Sequence, residues 1–467
     1  MRPVPNIPLL WIAFLVLVPA FTAAVYFDGL GKVIGLGAIL LVLVAAIGDY
    51  VFSQKLLEGV GCEIPALIRG TKGRELEVQV TFLNRGRSLD TLRYGLAVSG
   101  EFKIEGEVVG VISKVESGEK RIVSYPITPL RRGQFFLDSL HVETPSRWQW
   151  WILRKAFDLK SELRIYPDLA LERKRLASLF LMRGNDGSHV VRQVGKGRDF
   201  EQLREYQFGD DYIDIDWKAT ARRQSPVTRT YQIERTQEVY VVVDHSRLSA
   251  REIHVPVEDA AEGDWMYRME SSGGDTMVTT QLEKFLHCSL VMASVAEKQG
   301  DLFGFISFAD KVDRFIRGRN GKAHYNVIRD ALYTLEPKPV APDYEQLMIS
   351  LRQRLTRRAL IVMLVDLNDP LTAEQFYEAL PLISRQHLVL VNMVRPEKAN
   401  PMFSSRSEPE TVSDIYENLA GHFEWQELRE TGNRLRHLGV ELGISEHEEL
   451  CTETVTQYLN VKKRQLI

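Results

Sequence analysis

Two uncharged apolar runs open the chain. Ile7 to Phe27 contains no charged residue, and neither does Val33 to Gly48. The first is long enough to cross hydrocarbon as a helix, for which about 20 residues are needed. The second reaches that length when Asp49 to Phe52 sit at the interface. Between them Asp28-Gly29-Leu30-Gly31-Lys32 has room only for a tight turn. The pattern predicts a transmembrane helical hairpin over residues 1–54, with spans at 7–27 and 33–52. A cleaved signal peptide ending at Ala23-Ala24 is the competing reading. The apolar run is too long for it, and a second span follows at once.

The pattern then changes to period two. In Leu76, Val78, Val80 and Phe82 the apolar residues face one way and the intervening polar residues the other, as in a half-buried strand. Further short strands are predicted at Leu92–Val98, Val108–Ile112, Lys120–Ile127, Gln134–Val142 and Leu163–Tyr166, with turns at Asn84-Arg85-Gly86 and Arg131-Arg132-Gly133. Such spacing predicts an antiparallel β-sandwich over 55–168. Trp148, Trp150 and Trp151 fit a sandwich core or rim better than an interfacial aromatic belt.

A helix at Glu172–Arg183 and a charged segment make up residues 169–236. From Val239 the chain alternates strands and helices to its end, which predicts a parallel sheet covered on both faces over 237–467. Strands are expected at Val239–Val243, Leu302–Phe308, Ala359–Val365 and Leu388–Val394. Helices are expected at Thr280–Gln299, Tyr325–Leu335, Tyr344–Leu355, Ala373–Ser384, Thr411–Leu438 and Glu449–Leu459. A polar, glycine-containing insertion at 251–279 reads as a loop beside the end of the first strand.

Composition narrows the function. The chain has 467 residues, 26% of them charged, with a formal net charge of −3, which argues against nucleic-acid binding driven by bulk charge. Cys62, Cys288 and Cys451 lie far apart, with no zinc spacing and no disulfide framework. Arg2 precedes the first span, and Lys55, Arg69, Lys72 and Arg74 follow the second. Positive flanks at both outer ends predict a multi-pass protein of the inner (cytoplasmic) membrane, with its soluble domains in the cytoplasm.

Two features carry candidate chemistry. Asp244 and Asp366 each end a predicted parallel strand, and the carboxyl edge of an open α/β sheet is where ligands bind. Two carboxylates there, with the Ser246 hydroxyl, form a candidate Mg²⁺ site; helix capping or solvation is the alternative. The second feature is the segment with Asp210, Asp211, Asp214 and Asp216, followed by Lys218, Arg222 and Arg223. Asp214 and Asp216 read either as a catalytic pair or as members of a salt-bridge network. Strand alternation would set them on one face, with Ile213, Ile215 and Trp217 on the other. The network reading, structural or docking, is preferred. No nucleophile elbow, P-loop or HExxH pattern is present, and the ten histidines show no ligand spacing.

The charged segment also carries a resemblance. Arg198, Tyr206, Gly209-Asp210-Asp211, Ile215-Asp216-Trp217, Ala221-Arg222-Arg223 and Glu234 resemble the signature of the bacterial domain-of-unknown-function family number 58. Gly300-Asp301 and Asp366 fit the same pattern. The resemblance implies a multidomain layout: a transmembrane α-hairpin, a β-sandwich, then an α/β von Willebrand factor A-like, Rossmann-type domain. A complete A-domain metal site reads Asp-x-Ser-x-Ser with a Thr and an Asp from other loops. Here Leu248 stands for the last serine, and Val340-Ala341-Pro342-Asp343-Tyr344 offers no Thr, with Asp343 the one residue able to compensate. The resemblance therefore implies a degenerate site at Asp244, Ser246 and Asp366, with weak Mg²⁺ binding and no certain cofactor. It also implies a scaffold or adaptor rather than an enzyme, working with a MoxR-type AAA+ ATPase or a client protein. The alternative is a metal-dependent hydrolase using Asp244 and Asp366.

Overall fold

The computed structural model describes residues 2–27, 29–104, 109–182, 194–195, 199–208, 211–232, 237–256, 268–271, 274–402 and 411–464. The chain divides into two compact units, Met1–Asp168 with Pro256–Met277, and Leu169–Val255 with Val278–Ile467.

The first unit begins with the two helices, Ile7–Tyr26 and Leu30–Ser53, both long and apolar enough to cross a membrane. Only 6% and 11% of their most apolar windows are buried, which separates them from the core helices of a soluble protein. The first contains a π-helical stretch at Ala13–Leu17, just before Pro19. Proline supplies no N–H and crowds the carbonyl four residues back, and a π-turn there relieves both faults. The turn is shorter than the sequence predicts. The second helix starts at Leu30, directly after Gly29, whose φ of +69° suits glycine. The helices pack through a small residue: a Cβ on Gly35 would lie 2.5 Å from the Ala20 carbonyl oxygen.

Two sheets follow. One runs Arg2–Pro5, Trp151–Tyr166, Gly133–Pro145, Leu89–Ala97, Gly110–Val115, with Leu67–Thr71 also paired to Trp151–Tyr166. The other runs Val60–Glu63, Leu76–Asn84, Lys120–Pro129, Phe102–Ile104. Val78, Val80 and Phe82 of the second sheet share one buried core with Leu92, Leu140, Val142 and Leu163 of the first. Two expectations need correction. The sandwich is not wholly antiparallel, because Leu67–Thr71 lies parallel to Glu162–Tyr166; the long intervening chain permits it. The strand expected at Leu163–Tyr166 begins twelve residues earlier, at Trp151. Its charged residues Arg154, Lys155, Asp158 and Lys160 obscure the apolar alternation.

The tryptophans lie on the rim of this sandwich, where it meets the spans. Trp148 is exposed, and Trp151 donates its indole N–H to the Ala46 carbonyl of the second span at 2.9 Å. Asp49, buried near the end of that span, accepts from Ser146 Oγ (2.6 Å), the Trp148 backbone N–H (3.2 Å) and Ser53 Oγ (3.4 Å). The start of the chain is held by the same rim. Arg2–Pro5 pairs with Trp151–Arg154, and Asn6 Nδ2 donates to the Gln149 carbonyl at 2.7 Å. Both outer ends of the hairpin are therefore fixed to one edge of the sandwich.

The second unit is built on a six-stranded sheet: β1 (Glu238–Asp244), β2 (Leu302–Phe308), β3 (Val312–Arg319), β4 (Leu360–Leu364), β5 (Leu388–Val394) and β6 (Glu441–Ser445). Their order is 3-2-1-4-5-6, and all are parallel except β3, which pairs antiparallel with β2. This is a doubly wound, Rossmann-type arrangement. Helices packed on it include α1 (Gln281–Lys298), α2 (Lys322–Leu332), α3 (Tyr344–Arg354), α4 (Pro370–Ala379), α5 (Val412–His437) and α6 (Leu450–Lys463). Val239, Val241 and Val243 of β1 pack with α1, α2 and α6, while Tyr240 and Val242 pack with α3, α4 and α5. Burial on both faces is why β1 reads as an unbroken apolar run.

β3 and β6 were not expected from the sequence. Both are edge strands, and arginines or short length hide their pattern. At the amino edge, Gly300 turns with φ +76° and delivers Asp301 to Lys462 Nζ at 2.7 Å and to the Tyr458 hydroxyl. The stretch 251–279 is not simply a loop: Glu252–Pro256, Arg268–Ser271 and Gly274–Thr280 are strands, and its remaining parts include residues outside the described ones.

Candidate functional site

In the order 3-2-1-4-5-6 the winding reverses between β1 and β4. The crevice beyond the carboxyl ends of those two strands is the place where such sheets bind ligands. β1 ends at Asp244 and β4 runs out two residues before Asp366, so the fold brings both acids to that crevice.

Both are buried. Asp244 Oδ1 accepts from the Ser246 backbone N–H at 2.8 Å, whereas Oδ2 has no partner. Burial pushes its pKa up to about 7, against the opposing pull of Ser246 and with a further push from Asp366. Asp366 Oδ1 accepts from the Asn368 N–H at 3.0 Å, and Oδ2 lies 3.5 Å from Arg251 Nη1. Burial raises the Asp366 pKa too, and the Arg251 guanidinium opposes it. Tyr344, at the start of α3, is fully enclosed; burial and the two carboxylates hold its hydroxyl far above the usual range, and that hydroxyl has no partner. Gln281, at the start of α1, is buried there with its amide unpaired.

The fit to Mg²⁺ is poor. Ser246 Oγ already caps the turn Arg247–Ala250, accepting from the Leu248 N–H at 3.4 Å. Asp343 does not turn to the edge; its Oδ1 caps α3 by accepting from the Gln346 N–H at 2.9 Å. Arg251 stands where a cation's charge would serve Asp366. Among the described residues no three His, Cys, Asp or Glu side chains form a metal-ligand group. A small hard ion needs near-octahedral oxygen ligation, and the free carboxylate oxygen of Asp244 is the clearest donor this crevice offers.

Beside Asp244, His245 Nε2 lies 2.7 Å from Asp313 Oδ2, which also holds Lys338 Nζ at 2.6 Å. Burial lowers the His245 pKa, outweighing Asp313. Its Nδ1 has no partner. A general base must reach the proton it removes, and no nucleophile stands at that nitrogen among the described residues.

The charged segment differs from its expected form. Tyr212–Asp214 is a 3-10 turn, so strand alternation fails: Ile215 is buried while Ile213 and Trp217 are exposed. Asp216 caps the short helix Trp217–Arg223, its Oδ1 accepting from the Lys218 and Ala219 N–H groups at 3.0 Å. These bonds and Arg229, whose Nε lies 2.9 Å from Oδ2, lower the Asp216 pKa. The acid is thus matched by Arg229, not by Lys218, Arg222 or Arg223. Tyr206 packs its ring on Tyr212, with centroids 6.1 Å apart, and Asp211 immediately precedes the turn. Arg198, Gly209, Asp210 and Glu234 lie outside the described residues. None of the described signature residues is among those at the crevice. Arg251, Gln281 and the Tyr344 hydroxyl were missed as site groups, because they converge from three elements and form no local motif.

No curated protein matches the chain. Among solved structures it is similar to the conserved hypothetical protein BatB from Bacteroides thetaiotaomicron, at 14% identity and TM-score 0.28, covering 49% of this chain and 99% of that one. It is also similar to an aerotolerance-related membrane protein from Bacteroides fragilis NCTC 9343, at 13% identity and TM-score 0.24, covering 47% and 97%. A third is the VWA domain of SpRpn10, at 9% identity and TM-score 0.25, covering 48% and 95%. The family model described as "Protein of unknown function DUF58" matches residues 202–252 and 247–402, most of the charged segment and much of the α/β unit, and over that stretch the chain is similar to this family.

Proposed function

We propose that this chain is a membrane-anchored scaffold or adaptor, facing the cytoplasm of a bacterial cell, whose von Willebrand factor A-like unit binds protein at its carboxyl edge. The observation that carries this reading is the crevice itself. It has two buried carboxylates, one already answered by Arg251, and among the described residues no paired nucleophile and base. Exposed apolar side chains flank the same edge: Leu371 opens α4, and Phe423 stands beside Glu424, which accepts from Asn368 Nδ2 at 2.6 Å. A site poor in reactive groups and bordered by apolar surface suits protein contact better than turnover. The family resemblance favours a MoxR-type AAA+ ATPase as the partner. Mg²⁺ binds weakly at Asp244, Ser246 and Asp366, and is not what joins the partners.

Affinity capture of the full chain from native membranes tests this reading. Recovery of a MoxR-type ATPase, undiminished by Asp244→Asn, is expected. Hydrolytic activity abolished by Asp244→Asn, with no ATPase recovered, would replace the scaffold by the metal-dependent hydrolase. Orientation is checked separately. Protease added to intact cells leaves the region after Lys55 uncut, and cleavage there overturns the cytoplasmic placement.

A further inference from the structure

The loop 146–150 on the sandwich rim is tied to the second span at a fixed depth. That span, Leu30–Ser53, has 24 residues and so a length of about 36 Å, against about 30 Å of hydrocarbon in a bilayer. Its last turns therefore stand among the lipid headgroups. The rim reaches down beside them. Trp151 donates its indole N–H to the Ala46 carbonyl, about 10 Å inward of Ser53. The Trp148 N–H bonds Asp49 Oδ1, and the Arg147 N–H bonds Ser53 Oγ, both at 3.2 Å. Gln149 turns the loop with φ +61°, a conformation that costs energy in a residue with a Cβ. It is held by its own N–H on the Ser146 carbonyl (2.9 Å) and by Asn6 Nδ2 on its carbonyl (2.7 Å). Across this turn Trp148 and Trp150 meet edge to face, with centroids 5.6 Å apart.

Apolar and basic side chains are both open at this level. Ile47, Val51, Phe52 and Trp148 are between 49% and 74% exposed. Arg147 and Lys55 are exposed cations, and neither forms an ion pair among the described residues. The acids nearest along the chain do not cancel them. Asp49 is buried on its three donors. Glu143 holds Arg154 at 2.9 Å and Arg93 at 3.8 Å. Glu58 is exposed, but its turn also holds Lys155 Nζ, which bonds the Leu57 and Val60 carbonyls at 3.1 Å. Tryptophan settles at the headgroup level of a bilayer, and cations there attract anionic lipid. We infer that this rim binds an anionic glycerophospholipid of the bilayer that holds the hairpin. Trp148 and Trp150 lie against its glycerol and upper acyl chains, and Arg147 with Lys55 hold its phosphate. The occupant follows from the place, because the span that carries Asp49 brings the bilayer to the loop. The site shares no residue with the crevice of the α/β unit.

The test uses the full chain in nanodiscs of phosphatidylglycerol and phosphatidylcholine in equal amounts. Native mass spectrometry counts the lipids that stay on the released protein. Wild type keeps phosphatidylglycerol over phosphatidylcholine by at least about fivefold, a margin that two interfacial cations supply. Raising the salt from about 50 mM to about 500 mM before release lowers this preference, because the cations are exposed. The pair Lys55→Gln, Arg147→Gln brings it below about twofold, whereas the charge-conserving pair Lys55→Arg, Arg147→Lys keeps it. Both pairs melt like wild type, since the side chains replaced are exposed. Trp148→Ala lowers retention of both lipids. Equal retention of the two lipids by wild type, a preference indifferent to salt, or one that survives in the folded Lys55→Gln, Arg147→Gln variant overturns the inference. Loss of the preference in the charge-conserving pair overturns it too.

Discussion

Arg251 Nη1 lies 3.5 Å from Asp366 Oδ2, at the point where the sheet reverses its winding. Asp244, across the same crevice, keeps one carboxylate oxygen with no partner. The two buried acids are therefore unequal: one has its counter-charge built in, and the other bears the cost of burial alone.

That inequality predicts a pH dependence of stability. The folded-state pKa of Asp244 is pushed up to about 7, above its unfolded value, so the native state holds a proton that the unfolded state has already lost. Stability then falls as pH rises from the unfolded pKa to about 7, and levels off above it. The gap is worth at most about 4 kcal/mol at full ionisation. Asp244→Asn removes the term. Calorimetric melting should show the stability of the variant relative to wild type rising between pH 5 and pH 8, by more than half of that gap. An equal difference at both pH values contradicts the assignment.

The signature acid behaves differently, because it is accessible and its partners are a helix end and Arg229. Asp216→Asn keeps the cap, since asparagine caps as well as aspartate, and loses only the charge pair. Asp216→Ala loses both. The melting temperature should fall slightly in the first and further in the second. Loss of partner capture in Asp216→Asn without any fall in melting temperature would make the residue a docking group.

Asp49 makes a third case. It receives donors from Ser146, the Trp148 N–H and Ser53, and so joins the second span to the sandwich rim. Hydrogen bonds to a charged group contribute about 1.5–3 kcal/mol each in the general case. Asp49→Ala leaves the Trp148 amide unpaired, and hydrogen exchange at that amide should speed up at least about tenfold. Unchanged exchange would mean that the rim is held by Trp151 and Asn6 alone.

What was legible in the sequence divides along burial. The spans and the β1, β2, β4 and β5 strands are apolar on all sides or on both faces, so each run declares itself. The strands β3 and β6, and most of Trp151–Tyr166, carry charges on an open edge or face and look like loops. At the site, Asp244 and Asp366 were legible because a strand end is a sequence feature. Arg251, Gln281 and Tyr344 were not, because their convergence is set by the packing of a 3-10 turn and two helix starts. The signature failed for a local reason: capping by Asp216 turns the chain just where alternation would need it extended.

Arg251 also bears on metal affinity at this crevice. A divalent ion at this crevice must draw on Asp244 and Asp366 together, since a small hard ion demands several well-placed oxygens. It meets two obstacles. Asp244 is half protonated near pH 7, and Asp366 already faces a guanidinium that repels a second cation. Wild-type affinity for Mg²⁺ should therefore be millimolar or weaker, and should tighten as pH rises past 7. Arg251→Gln removes the competing charge and should strengthen binding by at least about tenfold, the equivalent of 1.4 kcal/mol. Adding Leu248→Ser returns a hydroxyl and should strengthen it again. Calorimetric titration of the full chain with Mg²⁺ measures each step. A micromolar wild-type site, or no gain on removing Arg251, would show that the guanidinium does not take the cation's place.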